Sequence, residues 1–277
     1  MAQAGRIATG AGCGGICRSG HDLDACPVGI LMVDDSVAPT ALTSPLLPVP
    51  LPQCLRGVLF DLDGTLIDPR AAISGALSYA FVQMGRPVPP HDVLVSMIGP
   101  PLLPSLQGLF GMSEADALAT IEHYRVDFGT RGIAANVVYP GIPELLAALH
   151  AHGVTIALAT SKPTVYAVQI LEHLGIDRYF AAMVGSNLDN TRTAKSEVIA
   201  HALHLLPELR DASIMVGDRE HDLHGARAND LPCIGVTYGI GSVEEVRAAA
   251  PLHVVSDVAA LQALLQRLHL LPDTAAN

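Results

Sequence analysis

The sequence predicts an α/β fold, a parallel sheet between two layers of helices, with a helical cap inserted close to its start. Three observations predict it. Short apolar runs recur along the chain, and several of them end on an acidic or hydroxyl residue. Helical stretches separate these runs, and strands alternating with helices at this spacing build a sheet through right-handed crossovers. One interval, residues 69–137, breaks the alternation and reads as mostly helical, with no convincing strand.

The first 54 residues show no period of 2 or 3.6. Glycine dominates their first part and proline their last, so they read as a disordered N-terminal extension. The uncharged run 36–55 has the length of a membrane span, but Pro39, Pro45, Pro48, Pro50 and Pro52 make it a linker. Gly10, Gly12 and Gly15 match GxGxxG with no strand before them and no helical pattern after, which makes the match a chance one. No apolar h-region of a secretory signal stands at the start. Five cysteines (Cys13, Cys17, Cys26, Cys54 and Cys233), odd in number and without a CxxC pair, predict reduced thiols in a cytoplasmic protein. A zinc site from Cys13, Cys17 and Cys26 with His21 is disfavoured by a spacing that fits no ligand pattern.

The core begins after this extension and is predicted over 55–68 and 138–272, with a tail at 273–277. The apolar run 57–61 ends in Asp61 and has the character of a strand buried on both faces. Further strands are expected at 154–160, 182–185, 213–217, 232–237 and 253–255, with helices at 143–152, 165–174, 196–206 and 222–229. In the insertion, helices are expected at 71–84, 91–97, 101–110 and 113–128. Ser113 with Asp116 resembles a capping arrangement at the last of them, and Met97 and Met112 read as cap core. The insertion is too long for an ordinary crossover, so it is expected to form a cap over the strand ends.

Net charge is −11, from 16 Lys and Arg against 27 Asp and Glu. Such a chain repels nucleic acid and anionic membrane surfaces, and a small anionic substrate requires a local cation. In a parallel α/β sheet, ligands bind beyond the carboxyl ends of the strands. There stand Asp61, Asp63 and Asp68 after the first strand, Thr160-Ser161-Lys162 after the second, and Asp218 and Asp222 after the fourth. Lys195 opens the helix after the third. Packing Asp61, Asp63, Asp218 and Asp222 together costs several kcal/mol unless protons or a cation offset the repulsion. Mg²⁺, a hard ion with oxygen ligands, is the expected solution, and it would neutralise a phosphate dianion.

VLFDLDGTLID, ATSKP, Lys195 and MVGDREHDLHGARAND resemble, in order, the four motifs of the haloacid-dehalogenase superfamily, from Val58 to Asp230. IGPPL, VYPGI, ATSKPTVYA and GSNLD resemble a bacterial branch of phosphoglycolate phosphatases and 5′-nucleotidases with a helical cap. The resemblance implies a Rossmann-like core and a Mg²⁺-dependent phosphatase acting on a small phosphate monoester: a phosphoglycolate-like compound, a nucleoside monophosphate or a sugar phosphate. It implies that Asp61 is the nucleophile and Asp63 the general acid and base. The Asp61 carboxylate, the Asp63 backbone carbonyl and Asp218 would hold Mg²⁺, with Asp222 beside them. Thr160, Ser161 and Lys195 would bind the phosphoryl group, and Gly64 would turn the chain so that backbone N–H groups face it.

Asp63 separates this chain from dehalogenases and from phosphonate-cleaving relatives, which lack an acid there, and Leu62 separates it from transport ATPases. A sugar phosphomutase of the β-phosphoglucomutase kind shares both aspartates and stays an alternative, with Thr65 tilting toward hydrolysis. A non-catalytic binding protein on the same fold is a further alternative, disfavoured by an intact set of motif residues. Arg70 and Arg125 are the cap residues expected to read the leaving group. His221 and His224 flank Asp222 but share no evident face with Asp218, His201 and His204 fit a solvated helix face, and His150 and His152 fit a helix end. A monomer or homodimer is expected.

Overall fold

The structure, a computed structural model, describes residues 48–53, 55–189, 191–268 and 270. Most of the extension, with Gly10, Gly12, Gly15, Cys13, Cys17, His21, Cys26 and Cys54, lies outside the described residues, as does the tail 273–277.

The chain enters the sheet at β1 (Gly57–Phe60). A short β2 (Ile67–Asp68) then pairs antiparallel with β3 (Val137–Val138), joining Ile67 to Val138 and Asp68 to Val137. Between these two lie the cap helices α1 (Arg70–Gln83), α2 (His91–Ser96), α3 (Leu102–Phe110) and α4 (Glu114–Asp127). The cap therefore leaves and rejoins the core through one antiparallel pair, where the sequence reading expected no strand between residues 69 and 137. A two-residue strand carries no alternation to detect. The Ser113 hydroxyl accepts from the Asp116 backbone N–H at 3.1 Å, as the capping pattern predicted. One π-helical turn, Phe128–Gly132, leads out of the cap.

The rest alternates: α5 (Ile142–Ala151), β4 (Thr155–Pro163), α6 (Thr164–His173), β5 (Ala182–Ser186), α7 (Lys195–Leu205), β6 (Ser213–Gly217), α8 (Glu220–Arg227), β7 (Cys233–Val236), α9 (Val243–Ala248), β8 (His253–Val255) and α10 (Val258–Arg267). The six-stranded sheet runs β5-β4-β1-β6-β7-β8 with every pairing parallel. Two departures from the sequence prediction matter. Strand β4 continues past residue 160 to Pro163, with a bulge between Ala159 and Pro163, and α9 and α10 were not predicted.

Successive strand residues face opposite sides of the sheet, and the core divides accordingly. Val58 and Phe60 face a cluster with Ile156, Leu158 and Val216, covered by α5, α6 and α10 and continuous with the cap core of Phe81, Met97, Leu106 and Phe128. Leu59 faces a second cluster with Ala157, Met215, Val198, Leu223 and Val246, covered by α7, α8 and α9. Burial on both faces explains why β1 is apolar throughout. Met97 and Met112 are buried in the cap, as expected. Among the described residues no helix is long and apolar enough to cross a membrane.

Candidate active site

Because β1 is central, its carboxyl end is flanked by the ends of β4 and β6. Asp61 stands there, its backbone N–H donating to the Val216 carbonyl at 3.0 Å. The chain then turns tightly: Gly64 N–H donates to the Ile67 carbonyl at 2.8 Å, and Gly64 has φ +85°. A Cβ at Gly64 would run into the Asp218 carboxylate, so glycine is required on both counts.

Asp218 directly follows β6 and is fully buried. Its Oδ2 accepts from the backbone N–H of Ile240 at 2.7 Å and of Gly241 at 3.1 Å, while its Oδ1 has no partner. One turn on, Asp222 opens α8 and its Oδ2 accepts from Arg219 N–H at 3.1 Å. Lys195, at the first turn of α7, places its Nζ 2.6 Å from Asp61 Oδ1, 2.7 Å from Asp222 Oδ1 and 3.0 Å from the Ala159 carbonyl. Gly225 of α8 makes room for it, since a Cβ there would meet the lysine side chain. Carboxylate oxygens of Asp61, Asp218 and Asp222 lie within 4.8 Å of one another.

Burial, with Asp222 and Asp61 alongside, pushes the Asp218 carboxyl up to about 8. Burial raises Asp222 to about 6 even though the Lys195 ammonium opposes the rise. Burial works to depress Lys195, but the Asp222 and Asp61 carboxylates outweigh it and hold the ammonium charged. Three buried carboxylates against one ammonium form an oxygen-rich, electron-rich pocket. With the unpartnered Asp218 Oδ1, these residues fit a hard divalent cation.

Asp63 lies on the other side of the turn. Its carboxylate stands outside the three-acid cluster; Oδ2 pairs with Lys162 Nζ at 2.9 Å and Oδ1 has no partner. Burial raises its pKa and Lys162 pulls it back. Lys162 in turn sits 4.6 Å from the centroid of Phe128, the first residue of the π-helical turn, so a cap aromatic backs the lysine. Lys162 carried no role in the sequence reading, because a lysine after a strand ordinarily reaches solvent. A signal was available: the chain has only two lysines, Lys162 and Lys195, and both are buried in this site.

Thr160 is buried and its hydroxyl accepts from Lys162 N–H at 3.2 Å, while the Ser161 carbonyl accepts from the Ser186 hydroxyl at 2.8 Å. Arg70 is engaged in an exposed pair with Asp68 at 2.6 Å. Arg125 pairs with Glu122 at 2.9 Å and donates to the Leu188 carbonyl of the core at 3.1 Å. His221 and His224 are exposed on α8 while Asp222 is buried.

The profile of haloacid dehalogenase-like hydrolases matches residues 58–236, which include every acid of the site. This chain belongs to that family. A 5′-nucleotidase of Pseudomonas aeruginosa is 46% identical over 209 residues, covering 76% of this chain and 95% of that protein. The tyrosine-protein kinase PtkA of Mycobacterium tuberculosis is 40% identical over 187 residues, covering 68% of this chain and 64% of the kinase. Among solved structures, a predicted phosphatase from Clostridium acetobutylicum superposes with a TM-score of 0.73 at 41% identity, covering 77% of this chain and 99% of that one. The chain is a phosphatase of the family, a hydrolase of phosphoric monoesters.

Proposed function

We propose that this phosphatase hydrolyses a small phosphate monoester by way of an aspartyl-phosphate on Asp61, with Mg²⁺ as its cofactor. The observation that supports the reading is the division of the two acids: Asp61 faces Lys195 and the three-carboxylate cluster, whereas Asp63 faces Lys162 and the cap. In the first step an Asp61 oxygen attacks phosphorus, the bond to the leaving oxygen breaks, and Asp63 gives its proton to that oxygen. In the second, Asp63 takes a proton from water, the water oxygen attacks phosphorus, and the bond to Asp61 breaks to release phosphate. Lys195, Thr160, Ser161 and the backbone N–H groups about Gly64 hold the phosphoryl oxygens. Asp61, the Asp63 carbonyl, Asp218 and Asp222 would hold the Mg²⁺, which supplies the positive charge that lets a dianion approach four carboxylates. Lys162 fixes Asp63 in position, and the cap shields the site from bulk water.

Arg70 and Arg125 are the cap cations expected to read the leaving group, and each would exchange its present partner for a second negative charge there. The resemblance to a 5′-nucleotidase puts nucleoside monophosphates first, ahead of phosphoglycolate and sugar phosphates. Phosphate release from a panel of these esters, followed by ³¹P NMR, tests the reading. Hydrolysis with net phosphate release is expected, and Asp61→Asn should abolish it while Asp63→Asn leaves a folded protein without turnover. Turnover retained by Asp61→Asn, or isomerisation of a sugar phosphate without phosphate release, would overturn it.

A further inference from the structure

We infer that Arg219 is a positioning residue that ties the cap loop around Ile98 and Gly99 to the acidic cluster, so that the cap is seated over substrate through the same residue that adjoins Asp218. The inference rests on the phosphatase reading above.

Arg219 follows Asp218 directly, and its backbone N–H donates to Asp222 Oδ2 at 3.1 Å. Its side chain reaches the other way. Nη1 donates to the Ile98 carbonyl of the cap at 2.9 Å, and Nε donates to Glu245 Oε1 at 2.7 Å. Glu245, on α9, also accepts from the Glu220 N–H at 3.0 Å, so the carboxylate is fixed before it fixes the guanidinium. The cap side is shaped to match. Gly99 has φ +104°, and a Cβ there would press on Arg219 Nη1. Gly241, whose N–H holds Asp218, lies so close that a Cβ would meet the Arg219 chain and the Asp218 carbonyl.

One residue thus bonds to a cluster acid by its backbone and to a cap carbonyl by its side chain. Ile98 itself is buried in the cap core, so the bond grips a part of the cap that does not move independently of it. Arginine suits the place because its fork donates in two directions at once, to Glu245 and to Ile98; a lysine would serve one or the other. The apolar contacts of the cap set its general seat, and Arg219 sets the register of the loop beside the phosphoryl site.

The full chain with Mg²⁺ is the material for the test, as wild type, Arg219→Ala, Arg219→Lys, Glu245→Ala and the double Arg219→Ala/Glu245→Ala. Two readouts are compared: amide hydrogen exchange of residues 97–99, and kcat and KM for the best monoester of the panel against acetyl phosphate, whose leaving group is small. Arg219→Ala should speed exchange at 97–99 by about ten-fold, the loss of one charge-assisted hydrogen bond. It should also lower kcat/KM by about ten-fold for the larger ester, through KM, and by much less for acetyl phosphate. Arg219→Lys should fall between. Glu245→Ala should match Arg219→Ala, and the double variant should be no worse than either. Unchanged exchange at 97–99, exchange accelerated evenly along the chain, or equal losses for both substrates would overturn the inference. If Arg219→Ala does not fold, Glu245→Ala and Arg219→Lys decide by the same criteria. If no ester is hydrolysed by the wild type, the functional reading fails while the exchange measurement still judges the tie.

Discussion

Lys195→Met tests the electrostatic core of the site. The ammonium is buried and bonds two carboxylates, Asp61 at 2.6 Å and Asp222 at 2.7 Å, as well as the Ala159 carbonyl. Formally, three carboxylates and one ammonium sum to −2, and without the lysine the group stands at −3. Removing one partner of a buried ion pair costs about 3–5 kcal/mol, and two orphaned carboxylates place this variant toward the upper end. The sign with pH follows from Asp222, raised by burial to about 6 with Lys195 opposing the rise. Without the lysine its pKa climbs further. A carboxyl raised on folding contributes stability that is lost as pH rises through the folded pKa, so the penalty should be larger near pH 8 than near pH 5. Urea unfolding of wild type and Lys195→Met in EDTA at the two pH values measures it. A loss below about 1 kcal/mol, or one that does not change with pH, would refute the account, since exposed pairs lose no more than that.

Three further outcomes are expected. Chelation should silence turnover and Mg²⁺ should restore it; activity that survives EDTA would remove the carboxylate cluster from any role as a metal site. In the metal-free protein, Asp218 near 8 and Asp222 near 6 both lie above the unfolded carboxyl value of 3.8. Unfolding free energy in EDTA should therefore fall as pH rises through those values, and saturating Mg²⁺, which selects the ionised acids, should flatten the fall. Gly64→Ala should lose about 1–2 kcal/mol from backbone strain alone at φ +85°, read by thermal unfolding. Because its Cβ displaces Asp218, calorimetry should also show weakened Mg²⁺ binding; unaltered binding would sever Gly64 from that carboxylate.

How much of this was legible in the sequence varies with the range of the signal. Strand β1 and its acids are a local pattern, an apolar run closed by alternating aspartates, and the rule that ligands bind beyond the carboxyl ends of parallel strands put Asp218 and Asp222 on the same edge. Lys195 could be placed at the start of a helix, but its role came from resemblance, because nothing local announces that the first residue of a helix will reach a carboxylate 134 positions earlier. Lys162 was placed at a strand end but given no role for a related reason: its meaning depends on Asp63 after the neighbouring strand and on Phe128 in the cap. Arg219 escaped notice, hidden among charged neighbours in REHD. Strands β2 and β3 are too short for any period, and α9 is a single short helix between loops. Arg70 and Arg125 were chosen for their charge, and the fold spends that charge on Asp68 and Glu122.

The confinement of both lysines to one pocket gives the molecule an unusual chemical simplicity. Every other side-chain cation of fixed charge is an arginine, so amine-selective acylating reagents find no lysine on the described surface. Acylation of Lys162 or Lys195 can proceed only when the pocket admits the reagent, and each modification is located by a single peptide. The protein thus carries a native clock for the opening of its own site, one that a bound phosphate ester would stop.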